Sequence, residues 1–257
     1  MRKHVLIVLA LGALVAVSVV GIATAAGGEG PVTVKVGNLE LTANGGFTPK
    51  ALSKTKQTPI ELTAEGLVKE SDGSHPPAAR EIIIEGDKNA EVHVKGIPTC
   101  KSGQLQATDT TAAEKACKPA IIGEGEAIAE VAFAEQPPIK VKSKLLLFNG
   151  GEKGGKITWF AHAYFSNPIS GAIVSTVTIQ KKKNGRFGTY TLTKVPQITG
   201  GSGSIVAFNL KIKKNVGGVN PISAKCTDGK LKVHVEAKFE DGTKAATEIV
   251  RACTPKG

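Results

Sequence analysis

Gly200-Gly201-Ser202-Gly203-Ser204 places two serines among glycines, a setting in which a hydroxyl can stand clear of its backbone and act as a nucleophile. It departs from the G-x-S-x-G elbow, because Ser204 stands where the second glycine should follow Ser202. A nucleophilic serine also needs a histidine to accept its proton and a carboxylate to orient that histidine. His75 sits in a proline-rich stretch, and His93, His162 and His234 alternate with apolar residues. None of them forms H-E-x-x-H or another spaced pair that would grip a metal. The expectation is therefore no catalytic residue, no cofactor-binding residue and no metal ligand. One arrangement would overturn it: Ser202 or Ser204 within hydrogen-bond reach of a histidine that itself touches a carboxylate.

Gly150-Gly151-Glu152-Lys153-Gly154-Gly155-Lys156 nearly matches the phosphate-cradling G-x-x-x-x-G-K-[ST] loop. Ile157 occupies the hydroxyl position, and Thr158 to Phe165 reads as strand where a helix is required, so no nucleotide is expected. Trp159, Phe160, Tyr164 and Phe165 are the one concentration of large rings. Trp159 and Phe165 fall on one strand face, Phe160 and Tyr164 on the other. Trp159 and Tyr164 are the candidate ligand contacts, through stacking on sugars, although such rings more often fill a core.

Cys100, Cys117, Cys226 and Cys253 lack the C-x₂₋₄-C spacing of a zinc site. Four cysteines allow three pairings, and proximity along the chain favours Cys100–Cys117 and Cys226–Cys253. That expectation depends on the compartment, which the amino terminus addresses. Met1-Arg2-Lys3-His4 carries positive charge, Val5 to Ala26 has no charged side chain, and Ala23-Thr24-Ala25 is a small-x-small cleavage site. This is the layout of an export signal over residues 1–25. Cleavage gives a secreted or extracytoplasmic chain with no membrane attachment. Uncleaved, the run is long enough to serve as an N-terminal membrane anchor, which takes roughly 20 residues.

Net charge is +11, and removal of Arg2 and Lys3 leaves +9. Lysine supplies most of it, spread along the sequence. Such lysines suit a solvated surface and blunt exposed sheet edges, and they also offer adhesion to an anionic envelope polymer or glycan. Aromatics are only 4% and arginine is scarce, so base stacking and bidentate phosphate clamps are poorly supplied and no nucleic acid is expected.

The elements that would position these groups are strands. Alternating segments are predicted at Val32–Val36, Ile60–Val68, Arg80–Glu85, Glu91–Val94, Ile121–Phe133, Ile139–Phe148, Lys156–Phe165, Ala172–Gln180, Arg186–Val195, Ser204–Ile212, Leu231–Phe239 and Thr243–Arg251. Asn44-Gly45-Gly46 reads as a turn followed by a loop, and Asn184-Gly185 as a type I′ hairpin turn. One short helix, near 110–118, is capped by Asp109-Thr110-Thr111 and stopped by Pro119. A Cys100–Cys117 bond would hold it to the sheet.

These signals predict an all-β chain: an antiparallel β-sandwich or partly open barrel, with one short helix and two disulfides. In outline, residues 26–58 form an N-terminal strand and extended segment, and 59–257 a sandwich-like domain. An alternative splits the latter into two sub-sandwiches meeting near 137–155.

Gly96-Ile97-Pro98-Thr99-Cys100, then Cys117-Lys118-Pro119-Ala120-Ile121-Ile122-Gly123-Glu124-Gly125, resembles a pattern in a family of exported bacterial β-rich proteins. There it runs G-[IL]-P-x-C, a helix with a second cysteine, then A-[LI]-[IV]-G-x-G. The resemblance implies a β-rich exported chain; it carries no known activity and transfers no catalytic residue. The expected function is a secreted, non-catalytic structural or binding protein of the cell envelope or extracellular space. The alternatives are a secreted hydrolase with its site assembled across strands, or a carbohydrate-binding module.

Overall fold

The computed structural model describes residues 21–24, 29–167, 170–198 and 203–257. Most of the export segment read over 1–25, and Ser202, lie outside the described residues. The strands are β1 (Gly21–Thr24), β2 (Val32–Val36), β3 (Leu39–Thr48), β4 (Ala51–Ser53), β5 (Thr58–Pro59), β6 (Glu61–Glu70), β7 (Ala79–Asp87) and β8 (Ala90–Val92). Helix α1 (Thr110–Cys117) follows, then β9 (Ile121–Phe133), β10 (Gln136–Lys153), β11 (Lys156–Phe165), β12 (Gly171–Lys181) and β13 (Phe187–Lys194). The chain ends with β14 (Gly203–Ile212), β15 (Ile222–Ala224), β16 (Lys230–Phe239), β17 (Lys244–Ala252) and β18 (Thr254–Lys256).

Thirteen strands form one sheet in the order β1-β17-β16-β7-β13-β12-β11-β10-β9-β14-β6-β3-β2. All neighbours are antiparallel except β1, which lies parallel to β17. The sheet curls until β17 meets β2, a nearly closed barrel whose seam is sealed by side chains. Val32 and Ala43 pack on Ile249 across it, and Val34, Leu39 and Leu41 pack on Ala237, Phe239 and Ala245. The buried Arg251 guanidinium on β17 donates to the carbonyls of Gly45 and Gly30 and to Asn44 Oδ1. Closure removes the open edges that make a large sheet prone to aggregation.

The register puts the apolar member of each alternating pair on the inner face. Trp159 faces Val177 across β11 and β12. Leu147, Ile157, Ile179 and Ile212 join them in the main core, while Ala127, Ala129, Leu145, Ala163 and Phe165 fill the next layer. The lumen is therefore packed with side chains. At one end, here the upper, two small sheets (β5-β15-β8 and β18-β4) close over the core, tied by Cys226–Cys253. Outside the barrel, α1 lies over β10 and β11, where Leu105, Ala113 and Cys117 bury Leu146 and Phe148. Asp109 caps the helix by accepting from Ala112 N at 2.8 Å, and Cys100–Cys117 ties it back to the segment before it. In the chain-entropy view, loops of 17 and 27 residues stabilise by about 3 and about 3.5 kcal/mol.

Three local readings need correction. Asn44-Gly45-Gly46 is not a turn: β3 runs straight through it, with Gly45 opposite Ala64 and Gly46 opposite Thr63. The glycines there serve close approach, since a Cβ on Gly45 would lie 3.2 Å from the Thr63 carbonyl oxygen. Asn184-Gly185 is not a type I′ turn, because only Gly185 has positive φ and the loop runs from Lys182 to Arg186. Finally, residues 137–155 do not separate two sheets, because β9, β10 and β11 pair continuously.

Candidate functional site

Residues 71–78 link the end of β6 to the start of β7, which have six strands between them in the sheet order. Eight residues span about 28 Å at full stretch, enough to strap the lower end of the barrel. Pro76 and Ala78 are buried along it, and Ala78 exchanges hydrogen bonds with Glu240 beyond β16. The strap carries His75 onto β9 and β14. There His75 Nδ1 is 2.8 Å from Glu130 Oε1, and Nε2 is 3.2 Å from Ser204 Oγ. Lys140 Nζ lies 3.3 Å from Glu130 Oε2. The register explains the meeting, because Ser204 and Lys140 both stand directly opposite Glu130.

Serine, histidine and carboxylate are thus connected in triad order, the arrangement named above as the mark of a hydrolase. Connectivity alone is too loose a criterion. A nucleophilic serine gives its proton to the histidine and meets a substrate. Ser204 is only 1% exposed, and its hydroxyl donates to the Pro76 carbonyl at 2.8 Å, closer than the His75 nitrogen.

The other histidines do not converge on it. His93 Nε2 is 3.1 Å from Ser223 Oγ at the upper end. His234 lies on the outer face, its ring 6.2 Å from that of Phe187. His162 is fully buried beneath the segment leading to α1, and Nε2 donates to Thr108 O at 2.9 Å. Burial holds its pKa below the ordinary histidine value, partly opposed by that hydrogen bond.

Trp159 is 5% exposed in the main core, so it offers no face to a sugar. Tyr164 is half-buried on the opposite face of β11, and the two rings cannot form one platform. Gly150 to Lys156 is the β10–β11 hairpin, its amides committed to strand pairing and turn. Two shallow hollows open near the upper end, about 380 Å³ beside Gln57, His93 and Ser223 and about 420 Å³ beside Val94, Thr99 and Gly151. Neither reaches Ser204. No group of three potential metal ligands converges among the described residues.

The lysines that are spread along the sequence gather in space. Antiparallel strands send every second connection to the same end, and a group of lysines lies on or beside the upper connections. Lys54, Lys56, Lys88, Lys183, Lys214 and Lys230 are exposed there and form no ion pair among the described residues. Glu29, Glu61, Asp87, Glu91, Glu152 and Asp228 are acids interspersed with them. The lower end carries Glu70, Asp72, Glu135, Glu240 and Asp241, with Arg80, Lys194 and Lys244 beside them. Burial, then the nearby Asp72 and Asp241 charges, holds the Glu70 carboxyl above its usual range. The barrel is therefore polarised along its axis, a feature hidden from a reading of spacing alone.

Two disulfides mark an oxidising, extracytoplasmic environment, and no helix among the described residues is long and apolar enough to cross a membrane. The chain matches no protein-family model, no curated protein and no solved structure.

Proposed function

We propose that this is a secreted, non-catalytic binding protein of the cell envelope or extracellular space, whose upper end adheres to an anionic envelope polymer or glycan. The observation that supports it is the concentration of exposed, unpaired lysines on the upper connections. They are mounted on a filled barrel and a disulfide-tied cap, a scaffold that holds charge in place without offering a deep cleft. Mobile ammonium groups attract a polyanion without demanding one geometry, which suits an irregular polymer better than a small ligand. The likeness to exported β-rich bacterial proteins agrees with this reading. The test is co-sedimentation of the purified protein with anionic wall polymer, neutral glycan and DNA. Retention by the anionic polymer supports the reading; equal retention by neutral glycan, or preference for DNA, refutes it.

The Ser204–His75–Glu130 connectivity favours a second reading, a hydrolase acting by acyl transfer. A fluorophosphonate probe that labels the wild type but not Ser204→Ala would establish it and displace the first. Absence of Ser204-dependent labelling, as the hydroxyl's bond to Pro76 predicts, removes it.

A further inference from the structure

We propose that His75 is a proton-operated latch, with its doubly protonated imidazolium form holding the 71–78 strap closed over the lower end. Ser204 has one hydroxyl proton, and the Pro76 carbonyl, which can only accept, takes it at 2.8 Å. Ser204 Oγ must then act as acceptor toward His75 Nε2, 3.2 Å away, so that nitrogen carries a proton. Glu130, ion-paired with Lys140, accepts from Nδ1 at 2.8 Å, so that nitrogen carries one as well. Only the imidazolium makes all three bonds at once. A neutral ring surrenders one of the three: its bond to Glu130, its bond to Ser204, or, if the Ser204 hydroxyl turns to donate to Nε2, the bond from Ser204 to Pro76.

The sign follows. Protonation favours the closed strap, so the strap tightens in acid and loosens as pH rises through the range of about 5–8 in which histidine changes charge. The groups facing His75 are Glu130 from β9, Ser204 from β14 and, through Glu130, Lys140 from β10. Glu70 and Asp72 flank the strap's start, and Arg80, Glu240 and Asp241 its end. Those carboxylates are present in both His75→Gln and the wild type, so a comparison of the two isolates the histidine. The latch lies at the end opposite the proposed polymer surface and stands independently of it.

The experiment is amide hydrogen exchange of residues 74, 75 and 78, expressed as protection relative to the unstructured rate at each pH. Losing one charge-assisted bond predicts roughly tenfold lower protection at about pH 8 than at about pH 5.5. In His75→Gln protection is low and flat. Protection that does not change with pH, rises with pH, or falls equally in His75→Gln overturns the proposal. Should that variant fail to fold, the wild type decides it: ring-nitrogen NMR must show both nitrogens protonated while the strap is protected. A singly protonated ring in the closed state refutes the latch.

Discussion

Asn149 offers a sharp test of how the outer cap is held. It is completely buried at the point where β10 shifts register against β11. Nδ2 donates to the carbonyls of Ile97 and Pro98 at 3.0 and 3.1 Å, and Oδ1 accepts from Gly151 N at 3.0 Å. Asn149→Ala deletes three hydrogen bonds and takes their partner from the Ile97 and Pro98 carbonyls and the Gly151 amide. At about 1 kcal/mol each the cost is about 3 kcal/mol, and for a chain of this size that lowers Tm by roughly 6–12 °C. Asn149→Asp keeps the shape and the Gly151 bond, but sets an oxygen against two carbonyl oxygens. It should therefore be less stable than Asn149→Ala at neutral pH, and should recover in acid once the carboxyl can donate. Calorimetric unfolding of both variants at several pH values measures this. A Tm within about 1 °C of wild type for Asn149→Ala, or an aspartate variant more stable than the alanine at neutral pH, would refute the reasoning.

Two further outcomes are expected. A Cβ on Gly125 would lie 2.0 Å from the Asn209 carbonyl oxygen, whereas Gly103 has nothing within 4 Å. Gly125→Ala should lower the denaturation midpoint by the equivalent of about 2 kcal/mol or more, with Gly103→Ala close to neutral in the same assay. His162 is held neutral by burial, its folded pKa lying below the reference value of 6.5. The unfolded chain therefore binds the extra proton first, so stability falls as pH drops below about 6.5. Denaturant titrations should show that slope flattened in His162→Gln, and an unchanged slope would contradict the assignment. The sign is opposite to that of the His75 latch, so the two histidines can be told apart.

Much of the architecture was legible because strands and turns are local. Ile121–Phe133 and Lys156–Phe165 were bounded by their alternation and by Pro119, Gly155 and the break after Phe165. The run from Gly96 to Gly125 has local structural roles: Ile97 and Pro98 carry the carbonyls that Asn149 grips, Cys100 and Cys117 tie α1 to the segment before it, and Gly125 admits β14. What spacing could not reveal is whatever depends on three-dimensional return. The glycines of β3 read as a turn because nothing local says that Arg251 will bond Gly45 from 206 positions away. His75 and Ser204 are 129 positions apart, and only the strap's path brings them together. Trp159 was ambiguous between face and core until the register set it opposite Val177. The lysines looked scattered because the alternation of strand direction, which collects them, is a property of topology.

The central claim concerns that collected charge. Its most direct test is calorimetric titration of the purified protein with a soluble anionic wall polymer across a series of salt concentrations. The comparison is with a variant carrying Lys54→Glu, Lys56→Glu, Lys183→Glu and Lys214→Glu, and with a lower-end control, Lys194→Glu with Lys244→Glu. Affinity should weaken steeply as salt screens the upper end, be lost in the upper-end variant and be kept in the control. Affinity indifferent to salt, or lost equally in both variants, would contradict the claim.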